Sequence, residues 1–382
     1  MRFLKQGAIV ALALFAAAPL SAQEDVPTIE LKKENTGAGT TAAEFMLLGA
    51  GARGMALAPA YSAIARDVEA LFYNPAGVSL MPGMEVGVTV MPYFADTRYL
   101  WAGVATPISG GEYGIGLSIA NFGFSSAPVY TEDDEENARQ FTYNVSETVV
   151  GLSFAHSFID RFSGGFTLKL INDRLAQTSA TGFGLDIGTN YHAELAGRPI
   201  SMAFVIQNLG SNLKHSGPGL DFTANPPSDD ESFPPATLDP EAARFESQAS
   251  ALPVVFRVGA AYDVVSSASN RLTVMGEFND VYNSSASFGG GAEFAWTPES
   301  KPISAALRGS YAYQPDNNFS GEEETQFAGA TSVDNEGLDG LSLGAGLGWN
   351  VSESYRLKAD YAWRHFGVLG SRNVFTLGIG WR

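Results

Sequence analysis

Hydrolytic chemistry needs a nucleophile, a base and an orienting acid within hydrogen-bond reach. The chain has four histidines, His156, His192, His215 and His365, and no cysteine. None of the histidines has a second histidine or an acid at ligand or triad spacing. His156 stands next to Ser157, a base beside a hydroxyl, with no acid to complete the set. The missing cysteine excludes disulfides, thiolate metal sites, cysteine catalysis and a lipidated cysteine anchor. Three acidic runs, Glu132-Asp133-Asp134-Glu135-Glu136, Asp229-Asp230-Glu231 and Glu322-Glu323-Glu324, offer oxygen ligands to a divalent cation. None has the spacing of a calcium loop, so they read as a hydrated rim in contact with lipopolysaccharide. No metal, cofactor or enzymatic activity is expected. With 41 acidic against 23 basic residues, the formal charge of -18 leaves no basic face for a nucleic acid.

Two apolar or small-residue groups suggest binding instead. Phe45, Met46, Leu47 and Leu48 form a continuous apolar cluster suited to lie under a hydrophobic ligand. Gly114 and Gly116, within GEYGIGLSIANFGF, remove side chains from one face of a strand, leaving space and permitting bending. They are candidates for a lateral opening.

The elements that must carry these residues are strands. Residues 1–22 read as a signal peptide: Arg2 and Lys5 precede an apolar stretch shorter than the roughly 20 residues of a span. Residues 23–40 read as a flexible segment. Residues 41–82 are dominated by small residues, with helices expected at 43–48 and 60–72. From residue 84 the hydrophobic period is two. Phe375, Leu377, Ile379 and Trp381 share one face, opposed by Thr376, Gly378 and Gly380. Tyr355, Leu357, Ala359, Tyr361 and Trp363 repeat the pattern against Arg356, Lys358 and Asp360. Fourteen such segments are expected: 84–92, 98–107, 111–123, 144–156, 161–173, 179–192, 197–210, 253–264, 270–280, 286–296, 301–314, 338–349, 352–364 and 371–382.

Most exceed the 5–6 residues typical of soluble strands and match the 9–11 that cross a membrane at a tilt. Connections after even-numbered strands are short. Those after the third, seventh and eleventh are long, near 124–143, 211–252 and 315–337. Short turns on one rim and long loops on the other describe an all-β transmembrane barrel in the outer membrane, residues 83–382, with both ends periplasmic. Closure satisfies every backbone group, as the hydrocarbon layer requires. Tyr99, Trp101, Tyr191, Tyr262, Trp296, Trp349, Trp363 and Trp381 are expected at headgroup level. Alternation turns Lys169, Asp186, Arg257, Glu277, Glu293, Arg308, Arg356, Lys358 and Asp360 into the lumen, to pair with one another and with Arg53, Arg66 and Asp67.

Residues 49–79, GAGARGMALAPAYSAIARDVEALFYNPAGVS, read as a compact plug of turns and short helices within 41–82. Asn74-Pro75 is a turn signal, and Gly77 allows close backbone approach. This stretch resembles the PorV/PorQ family of outer-membrane proteins, within the FadL-like superfamily of long-chain fatty acid transporters. The resemblance rests on Gly51-Ala52-Arg53, Gly54-Met55, Asp67, Ala70, Phe72-Tyr73 and Asn74-Pro75-Ala76-Gly77. It implies a plugged fourteen-stranded barrel and two alternative functions. One is binding or admission of hydrophobic small molecules, with lateral release near a distorted strand. The other is a component of type IX secretion that receives the C-terminal signals of cargo, with machinery or surface proteins as partners.

Overall fold

The period-two segments hydrogen-bond in sequence order and close on themselves. In this computed structural model residues 39–129, 142–224, 241–284, 286–314 and 340–381 are described. Residues 1–22, expected to be a signal peptide, and all three acidic runs lie outside them. The barrel has fourteen strands, all pairs antiparallel: β1 (Met84–Pro92), β2 (Arg98–Ile108), β3 (Tyr113–Pro128), β4 (Thr142–Ile159), β5 (Phe162–Leu175), β6 (Thr178–Leu195), β7 (Arg198–Gly210), β10 (Val255–Ser266), β11 (Asn270–Val281), β12 (Ser287–Trp296), β13 (Ile303–Tyr313), β14 (Leu341–Asn350), β15 (Tyr355–His365) and β16 (Ser371–Trp381). Closure is between β1 and β16, with Val86 opposite Ile379. A short hairpin, β8 (Asp221–Ala224) with β9 (Glu241–Arg244), decorates the connection between β7 and β10. The sequence pattern did not announce it, because four residues are too few for a period to register.

The alternation sorts environments as a membrane barrel requires. Ile115, Leu117 and Ile119 of β3, and Phe375, Leu377 and Ile379 of β16, point outward and are exposed to lipid. Thr376, between two of them, is buried on the inner face and accepts a 2.8 Å hydrogen bond from the Ala52 N–H. This is an outer-membrane architecture, with the short turns facing the periplasm.

Tyr99 and Trp101 depart from the headgroup position expected of them. Both are buried inside the barrel. They share their face of β2 with Gly103 and Ala105, so Leu100, Ala102 and Val104 take the lipid side. Both faces of this strand are apolar, and polarity could not distinguish them.

Inside the barrel lie the short helices Glu44–Leu47 (3-10), Ala52–Leu57 (α), Ala70–Tyr73 (α) and Pro75–Leu80 (3-10). The helix expected over 60–72 does not form: 60–69 is a run of turns, and only its end is helical. Side-chain bonds to the wall replace helical ones. Asn190 donates to Ala63 O (3.0 Å), Asn279 to Pro59 O (3.2 Å), and the Ser62 N–H donates to Glu277 (2.9 Å). Buried backbone groups need partners, and here the barrel supplies them.

Candidate functional site

The turn Asn74-Pro75-Ala76-Gly77 sits against bare backbone on β5 and β6. Asn74 adopts an extended backbone, and its Oδ1 accepts from the Ala76 N–H at 3.2 Å, capping the Pro75–Leu80 helix. Its Nδ2 donates both to Ser62 O (3.1 Å) within the plug and to Thr189 O (3.0 Å) on β6. Gly188 makes room: a Cβ there would lie 2.2 Å from Asn74 Oδ1. Gly77 is required by contact, since a Cβ would fall 1.8 Å from the Ala65 carbonyl oxygen.

The plug's charged groups gather at its periplasmic side. Arg53 Nη1 is 2.7 Å from Asp67, while its Nε and Nη2 bind both oxygens of Glu293 on β12 at 2.8 and 2.7 Å. Arg308 joins Glu293 at 2.7 Å and reaches Asp360; Lys358 pairs with Glu85. Tyr61 also donates to Asp67 at 2.9 Å, and its ring lies under the guanidinium of Arg53. Burial alone would raise the Asp67 carboxyl, but the charges of Arg53 and Lys358 and the hydrogen bonds from Arg53 and Tyr61 together hold it below its ordinary value. Glu69 goes the other way. Burial, and then the charge of Asp67, push it well above that range, although it accepts from the Gly54 N–H at 2.6 Å. The two carboxyls are thus shifted in opposite directions. Around them is a polar cavity of about 180 Å³, reaching Arg271, Thr297 and Arg356 at the periplasmic end.

The plug's outer side is apolar. Met46, Leu71 and Phe72 face Tyr99, Trp101, Ala120 and Val149 of the wall across a cavity of about 20 Å³, which Ser118 and Lys169 also line. Lys169 is already neutralised by Asp186 at 2.7 Å and donates to Asn208 at 2.6 Å.

Of the apolar cluster Phe45–Leu48, Phe45 and Met46 are buried and Leu47 and Leu48 half-buried; only Met46 lines this cavity. Gly114 and Gly116 face inward, and plug atoms occupy the space they leave. A Cβ would lie 2.6 Å from Ser79 N at the first and 2.3 Å from Leu71 Cδ2 at the second. The wall there is paired on both sides. The irregularity of β3 lies nearer the outer rim, where the register with β4 shifts between Phe124 and Ala127 beside Gly123 (φ 144°). A recess of about 540 Å³ lies over it, lined by Arg98, Asn121, Gly123 and Ser146.

No family model and no curated protein matches the chain. Solved structures do. The CymD monoaromatic hydrocarbon channel superposes with a TM-score of 0.53 at 11% identity, covering 88% of this chain and 97% of that one. The Pseudomonas putida toluene transporter TodX gives 0.51 at 11% identity, with 87% and 97% covered. The Ralstonia pickettii toluene transporter TbuX gives 0.50 at 11%, with 88% and 98%. The fold is that of these channel barrels. At such identities the likeness carries the fold and does not single out the PorV/PorQ branch.

The histidines stay apart within this barrel. His156 contacts Glu112 O and stacks on Tyr113, His215 stands 3.5 Å from Asp173, and His365 lies against Trp363. Among the described residues no group of three His, Cys, Asp or Glu could hold a metal ion. The lumen residues that the sequence misplaced at headgroup level are Tyr99 and Trp101. Their lumen position follows from the glycine and alanine that continue their face, a weaker signal than aromatic placement near a strand end.

Proposed function

We propose that this barrel admits hydrophobic small molecules across the outer membrane, binding them at the outer side of the plug. The observation that carries this reading is the apolar cavity between Met46, Leu71 and Phe72 of the plug and Tyr99 and Trp101 of the wall. Ligand sites of this kind are mostly apolar with few polar anchors. The barrels of similar fold whose names mention hydrocarbons or toluene support the same class of cargo. Long-chain fatty acids, the cargo implied by the FadL-like resemblance, are one member of that class.

In this reading Arg53, Asp67 and the wall's Glu293 latch the plug, while Asn74, Pro75 and Gly77 fix its end before β1. Gly54 lets Tyr73 close on the Ala52–Leu57 helix, for a Cβ would fall 2.3 Å from that ring. Release follows the wall where β3 is irregular, at Gly123–Ala127, rather than at Gly114–Gly116, which the plug fills. Purification in mild detergent tests the function. Mass spectrometry should find an apolar small molecule bound to the barrel. A stoichiometric protein partner with no small molecule would replace this reading with the PorV-like role in type IX secretion.

A further inference from the structure

Tyr99 is wholly buried, lines the cavity at the outer side of the plug, and its hydroxyl finds no hydrogen-bond partner among the described residues. Buried hydroxyls are normally paired, because an unmade bond forfeits what water would have supplied. The neighbouring cation is spent: Lys169 is held by Asp186 and Asn208. A carboxylate entering here would meet no uncompensated positive charge and would be buried as an excess anion.

We infer that the cavity selects an uncharged, ring-sized hydrophobic molecule bearing one hydrogen-bond acceptor, such as a cyclic ketone, which takes its hydrogen bond from the Tyr99 hydroxyl. This rests on the channel reading above and narrows its cargo. The closed cavity has room for about one water, which Tyr99, Ser118 and Lys169 would hold. A ligand replaces that water with its own oxygen. The wall that gives way is Met46, whose unbranched side chain has three rotatable bonds. It sits on the four-residue 3-10 helix Glu44–Leu47, tethered through Glu44 to Asn283 and through the Ala42 N–H to Ala251 O at 2.9 Å. The opposite wall is the rigid ring of Trp101.

The test uses three ligands of one shape: cyclohexanone, methylenecyclohexane and cyclohexanecarboxylate. Binding to the purified full chain is measured by equilibrium partition, with headspace chromatography for the two volatile ligands and dialysis for the anion. A Met46→Trp variant, checked for folding by heat-modifiable gel migration, serves as the filled-cavity blank. Cyclohexanone should bind about fivefold to tenfold more tightly than methylenecyclohexane, the worth of one net hydrogen bond. Tyr99→Phe should bring that ratio to about one, leaving methylenecyclohexane unchanged. The carboxylate should bind no better to the parent than to the blank. Equal binding of the two neutral ligands, untouched by Tyr99→Phe, would overturn the acceptor rule while leaving the channel reading intact. Tighter binding of the carboxylate would overturn the selection for uncharged cargo. If no ligand distinguishes the parent from the blank, the channel reading fails, and this inference with it.

Discussion

Replacing Arg53 with methionine should unlatch the plug without unfolding the barrel. The guanidinium holds three charged hydrogen bonds, one to Asp67 and two to Glu293. After the substitution Glu293 keeps Arg308 at 2.7 Å, and Asp67 keeps the Tyr61 hydroxyl at 2.9 Å. Breaking a buried pair by removing one partner costs about 3–5 kcal/mol. The remaining partners, and the polar cavity beside Arg53, bring the expected loss to about 2–3 kcal/mol, since part of the exposed charge regains water or a second ligand. At about 1.4 kcal/mol per tenfold, the unlatched fraction should rise roughly 30- to 140-fold. Conductance of single barrels in planar bilayers reads that fraction, and unchanged heat-modifiable migration shows the strands are still paired. A cycle with Glu293→Gln should show coupling of about 1 kcal/mol or more, because both variants remove the same bonds. Conductance indistinguishable from the parent in Arg53→Met, or strict additivity in the cycle, would refute the latch.

Gly77→Leu and Asn74→Leu should loosen the plug more severely than Arg53→Met, the first by collision with the Ala65 carbonyl and the second by loss of bonds to Ser62, Ala76 and Thr189; bilayer conductance with gel migration checks both. Plug retention should depend on pH in opposite senses through two carboxyls. Asp67, depressed in the folded state, contributes above its unfolded pKa, and that contribution is lost as pH falls through the lower folded value. Glu69, raised in the folded state, contributes fully below its unfolded pKa and loses that contribution as pH rises through the folded value. Conductance should therefore climb on the alkaline side, and Glu69→Gln should remove that limb while leaving the acid limb in place. For orientation, Glu246→Cys should react with an impermeant maleimide on intact cells, and Glu353→Cys only after rupture; the chain has no native cysteine to confuse the result.

The barrel was legible in the sequence because one face of each strand meets lipid and the other meets a polar plug and lumen. Leu377 against Thr376, or Leu357 against Lys358, records that difference directly. The record fails where both faces are apolar, as in β2, so Tyr99 and Trp101 could not be placed. The plug was legible as a motif and not as a shape. Its positions are set by backbones that approach where side chains are absent, Gly77 on Ala65 and Gly188 on Asn74, and no periodicity encodes a contact between residues a hundred apart. The charged lumen was visible by alternation, including Glu293, Arg308 and Asp360. That Glu293 is the residue bridging Arg53 to Arg308 depended on barrel closure and on the depth at which the Ala52–Leu57 helix sits. The space at Gly114 and Gly116 was correctly oriented, but a sequence cannot tell an opening from a seat for Leu71 and Ser79.

In the function proposed above, apolar cargo binds between the plug and the β2–β3 wall. A crystal of the protein soaked with bromobenzene tests it directly through the anomalous signal of bromine. A peak is expected beside Met46, Phe72 and Trp101, lost in Met46→Trp. Bromine found only on the lipid-facing surface, around Leu347 and Leu377, with the inner site empty, would contradict it.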